Sequence, residues 1–196
     1  MEEGVTKALK AKASTVFLTD SGDNVTAGTP GDLPLVLSHL VERKVKNAVV
    51  ACINDTQATN KCFEAGKGSK LHLSIGATIE KRYGPPLEAE VKVLHLLEQD
   101  QLAVVRIEGI EVILSKGPRT FRSPEEFERC GINPLERKIV VTKMGYLYPQ
   151  LTKIAPRHIM LLTPGAGDMR IEKLNYTRIR RPVFPFDRDA TFSFDE

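Results

Sequence analysis

The stretch TDSGDNVTAGTPGD, Thr19 to Asp32, gathers three Asp, one Asn and three Gly between an apolar run and an amphipathic one. Asp20, Asp23 and Asn24 supply oxygen ligands of the kind that hold a hard cation. Their spacing is not that of an EF-hand, and Gly31 stands where its bidentate Glu would be. Gly28 and Gly31 make the turn glycine-rich ahead of a helix, where free backbone N–H groups attract anions. Against an anion stand Asp20 and Asp23, which repel it, and Asp32, which is placed to cap the following helix. The loop also lacks the Gly-Lys-Ser/Thr of a phosphate-binding P-loop. An Asx-rich turn held by side-chain to backbone bonds is the competing reading.

Elsewhere the chemistry is thinner. Lys143 ends KIVVTK, with Gly145 and Tyr146 just beyond, and it either pairs with a carboxylate or stays solvated. His39, His72, His95 and His158 form no HExxH and no pair with zinc-ligand spacing. No G-x-S-x-G elbow is present. Cys52 lies in an apolar run and reads as a packed thiol. RIRRP, 178–182, could touch an acidic group, but its stems and nearby acids offer it a surface role.

The elements that must position these residues alternate in type. STVFLTD and NAVVACI read as buried strands. DLPLVLSHLVERKV places Leu33, Val36, Leu37, Leu40 and Val41 at helical spacing, with Asp32 as cap. NDTQATNKCFEAG reads as a helix capped by Asn54 or Asp55 and closed by Gly66. From about 70 to 117 the period changes to two, with a two-residue turn at Glu108-Gly109, which predicts an antiparallel β insert. SPEEFERCG, RKIVVTK, GYLYPQLTKIA and HIMLLTP then read as helix, strand, short helix broken near Pro149, and strand. Residues 176–196 read as a mostly extended tail.

The fold expected is therefore α/β, a mainly parallel sheet with flanking helices and an antiparallel insert, in a single domain of 196 residues. If the four strands near 15–19, 48–53, 138–142 and 159–163 share one parallel sheet, their C-terminal ends bring Asp20, Asp23, Asn24 and Lys143 to one edge. Open α/β sheets bind ligands there. Strand order stays open.

Bulk composition adds exclusions. A net charge of +3, with the positives gathered into no block before Arg178, Arg180 and Arg181, argues against nucleic acid as partner. No apolar run reaches the length of a membrane span. Three cysteines with no C-x-x-C suit a reducing, cytoplasmic setting. Homo-oligomerisation is left open.

The opening loop resembles the Asp-Ser/Thr-Gly/Ala-Asp-Asn signature of the microcystinase C-like (MlrC-like) metallopeptidase family. Further segments match in order: GPPLEAEVKV from Gly84, VVTKMGYLYPQLTKIAP from Val140, LLTPGAGD from Leu161 and YTRIRRPVFPFD from Tyr176. The match spans about residues 13 to 187. It implies a C-terminal domain whose partner is an N-terminal metallopeptidase domain that holds zinc. It implies no cofactor within these residues, no hydrolase activity from them alone, and a peptide-like substrate. By the same resemblance Asp20, Asp23, Asn24, Gly28, Gly31, Asp32, Lys143 and Tyr146 bind substrate or position the groups that do. Two departures stand out: Val25 replaces a Pro common in relatives, and KMGYLYP replaces a His-Phe after the strand lysine, leaving Tyr146 at that place.

Overall fold

The apolar runs form one sheet that continues from edge to edge. The computed structural model describes residues 1–191 and 193. Its elements are α1 (Glu2–Lys10), β1 (Val16–Asp20), α2 (Leu35–Glu42), β2 (Ala48–Asn54), α3 (Thr56–Ala65), β3 (Lys70–Ile75), β4 (Leu87–Leu97), β5 (Leu102–Ile107), β6 (Ile110–Ser115), α4 (Pro124–Arg129), β7 (Ile139–Thr142), α5 (Pro149–Thr152) and β8 (His158–Leu161). The strands lie in the order β3-β4-β5-β6-β2-β7-β1-β8.

The expected parallel block is present: β6, β2, β7, β1 and β8 run parallel. The insert is antiparallel from Lys70 to Ser115, as its period implies. Yet it is no separate sheet. β6 pairs with β5 on one side and β2 on the other, so the insert extends the parallel block and the whole is mixed rather than mainly parallel. The physical reason is that the hairpin partner β5 takes one backbone edge of β6 and leaves the N–H and C=O groups of the other to pair with β2.

Side-chain alternation builds two cores. Val16 and Leu18 face a layer made by α1, α2 and α3, whose Val5, Val36, Leu40 and Cys62 are buried. Phe17, between them in sequence, points to the opposite layer with Phe121, Phe127 and Leu151 of the α4–α5 side. Burying a Phe or Leu fully stabilises by roughly 1.5–3 kcal/mol.

Local expectations meet two corrections. Asp32 does not cap α2: Pro34 holds the cap position, and the Asp32 carboxylate turns instead to the backbone N–H groups of Ile79 and Glu80. A tertiary contact outbids the local cap. Pro149 starts α5 rather than breaking it, because its missing N–H is unneeded in a first turn. Asp55, not Asn54, caps α3, accepting from Ala58 N at 2.9 Å, and Gly66 closes it. Residues 176–191 contain no helix or strand; the last part of the expected tail, 192 and 194–196, lies outside the described residues. No described helix is long and apolar enough to cross a membrane.

Candidate functional site

The loops leaving β1, β7 and β8 meet at the C-terminal edge of the parallel block, and one ammonium group ties them. Lys143 follows β7 and is 1% exposed. Its Nζ donates to Asp20 Oδ2 at 3.0 Å, Asp23 Oδ2 at 2.9 Å and the Leu33 carbonyl at 2.6 Å. All three of its protons are thus used. Burial, the largest single influence, pushes the Lys143 pKa down; the charges of Asp20 and Asp23 and their hydrogen bonds outweigh it and hold the pKa above its ordinary value.

Each carboxylate is also held from another side. Asp20 Oδ1 accepts from the Thr163 hydroxyl, whose oxygen accepts from Gly22 N at 2.7 Å. Asp23 accepts from Gly31 N at 2.9 Å and Leu33 N at 2.7 Å. Ser21 Oγ donates to the Leu161 carbonyl at 2.8 Å. The β1 loop is therefore stitched to β8, to the Lys143 segment and to its own C-terminal half. Lys143 was the least specified residue in the sequence; its solvated alternative is excluded by its burial.

The other expected residues separate into two groups. Gly28, in the left-handed region at φ +90°, closes the short turn Val25–Ala27. Gly31, at φ +72°, has no room for a side chain, since a Cβ would lie 2.5 Å from Val25 Cγ2. Asp32 is buried and faces the loop at 77–80, with Oδ1 lacking a partner among the described residues. Asn24 and Tyr146 differ from these because both reach the surface. Asn24 Oδ1 accepts from Thr26 N at 3.0 Å, which orients its amide nitrogen towards Gly145. Tyr146 is 76% exposed.

Asn24 and Tyr146 line a cleft of about 510 Å³ above the buried ion cluster. Tyr148, Pro149 and Met169 complete its apolar wall. Met169 and Tyr148 were not among the expected site residues, although Tyr148 lies in the VVTKMGYLYPQLTKIAP segment and Met169 directly follows LLTPGAGD. A second hollow of about 710 Å³ lies between α3 and the loop before β4 and shares no lining residue with the first.

Among the described residues no three His, Cys, Asp or Glu side chains come together as a ligand set. The carboxylate pair at this edge, Asp20 and Asp23, already holds a cation between them, the Lys143 ammonium. The described residues do not fit a zinc ion.

These features describe a three-layered α/β domain with a braced loop cluster and a cleft at its ligand edge. The chain belongs to the MlrC C-terminus family, whose pattern covers residues 18–178. It is 23% identical over 192 residues to microcystinase C from Sphingomonas sp., covering 90% of this chain and 37% of that protein. A crystal structure from Mesorhizobium sp. BNC1, of a protein assigned as a metallopeptidase, superposes with a TM-score of 0.82 at 23% identity. That match covers 99% of this chain and 42% of the other, and it shows the shared fold. The chain thus spans less than half the length of either relative.

Proposed function

We propose that these residues form one wall of the substrate cleft of an MlrC-like metallopeptidase, beside a zinc site carried by a separate N-terminal domain. The observation that carries this reading is the convergence of the β1, β7 and β8 loops on one braced edge beneath a cleft. A buried ion cluster with every Lys143 proton committed is suited to holding loops rigid, as substrate positioning needs. In this reading Asp20, Asp23 and Lys143 act through the loops that they brace. Gly28, Gly31 and Asp32 shape the same loop, and Asn24 and Tyr146 meet the substrate.

The substrate is peptide-like, the chain alone does not hydrolyse it, and the setting is cytoplasmic. The length shared with microcystinase C supports a further domain as partner. The test compares the 196 residues alone with the same residues joined to an N-terminal domain of the family. Zinc content and cleavage of a linear peptide are read in both. Cleavage is expected only in the joined protein; zinc-dependent cleavage by the 196 residues alone overturns the reading.

A further inference from the structure

Among the described residues no charged side chain lines the cleft beside Tyr146, although 27% of the chain is Asp, Glu, Lys or Arg. Charged residues do stand next to the lining: two sets are paired among themselves, and Arg122 is held against a ring. Asp20, Asp23 and Lys143 satisfy one another below it. Asp168 and Arg170 flank Met169 and bind each other, Arg170 Nε to Asp168 Oδ1 at 2.8 Å. Arg122 lies over the Tyr148 ring at 5.3 Å and is itself not part of the lining. The second hollow contrasts with this, being lined by Lys61, Lys81 and Arg82.

We infer that the cleft selects an uncharged aromatic or aliphatic side chain of a peptide-like ligand. The inference deepens the proposed function and rests on that reading for the word substrate. An ionic side chain entering there would lose water and meet no counter-charge in the described lining itself. An aromatic ring would lie on Tyr146 and on the thioether of Met169, 50% exposed, both of which suit ring contacts. The Asn24 Nδ2 group, which has no acceptor among the described residues, supplies a donor to a ligand carbonyl. Tyr146 and Met169 are then the specificity-determining residues.

The test titrates the 196-residue chain with N-acetyl-phenylalanine amide, N-acetyl-glutamate amide and N-acetyl-lysine amide, followed by amide chemical shifts. The phenylalanine amide is expected to shift residues around Asn24, Tyr146 and Met169 and to bind at least about tenfold tighter than either charged amide. Tyr146→Ala, at an exposed position, is expected to weaken it about fivefold at an unchanged melting temperature. Met169→Glu is expected to turn the preference towards the lysine amide. Equal or tighter binding of a charged amide to the unaltered chain overturns the inference. So do shifts confined to other surfaces, or no saturable shift. Because binding is read on the chain alone, failure of peptide cleavage in the joined protein sinks the proposed function and leaves this inference standing.

Discussion

The three protons of Lys143 are divided between two carboxylates and a carbonyl, and that division sets the price of changing it. Lys143→Met strands Asp20 and Asp23 as buried charges facing each other, and stability is expected to fall by about 3–5 kcal/mol in urea unfolding. Adding Asp20→Asn and Asp23→Asn should recover part of that loss, since the charges then disappear together. A loss below about 1 kcal/mol for Lys143→Met would show that the cluster is solvated. The buried thiols give a pH prediction. Burial pushes Cys52 and Cys62 up to about 11 and Cys130 up to about 12, against an ordinary value of 9.0. Above pH 9.0 the unfolded chain loses thiol protons that the folded chain keeps, so stability falls as pH rises through these folded values. Lys143 works in the same direction, its contribution being lost as pH climbs past 10.5. Unfolding free energies should change little near pH 8 and decline from about pH 9 upward, and at pH 8 the native thiols should resist alkylation until urea is added.

At the scale of elements, two loops approach so closely that glycine is required. A Cβ on Gly22 would lie 2.2 Å from the Thr163 carbonyl oxygen, and one on Gly165 would lie 2.0 Å from that of Gly22. Both clashes are with backbone, which cannot swing aside as a side chain does. Gly22→Ala should therefore part the β1 and β8 loops and cost about 2–3 kcal/mol. Shift changes should reach Thr163 and Asp20. A thermal shift indistinguishable from the unaltered chain would mean that the two loops are not in contact. Asp32 makes the same point by another route. Its carboxylate left the local cap for a loop 47 residues away, coupling the β1 loop to the segment before β4.

Across the whole molecule, the ligand edge rests on the most protected strands. β7 and β1 lie inside the sheet, between β2 and β8, and are covered on both faces. β3 and β8 are the sheet's outer strands, each with exposed positions along it. Hydrogen exchange is expected to be slowest in β1, β2 and β7 and faster in β3 and β8. Exchange in β1 as fast as in β3 would contradict this layering. A rigid floor with a surface cleft above it is the arrangement that the proposed function needs.

The sequence by itself determined the element types, because helix and strand periods are local properties. The switch to period two near 70, the hairpin at Glu108-Gly109 and the positions of Asp20, Asp23 and Lys143 just beyond strand ends were legible in it. So was the family, through the order of several motifs rather than any one loop. Only the tertiary structure decided that β7 enters between β1 and β2, that the insert continues the same sheet, and that Asp32 turns away from α2. Only it placed Lys143 against Asp20 and Asp23, partners 123 and 120 positions away. It also brought Met169 and Tyr148 to the cleft. Local periodicity carries no information about which distant backbone edges pair, and a buried charge finds its partner only once they have.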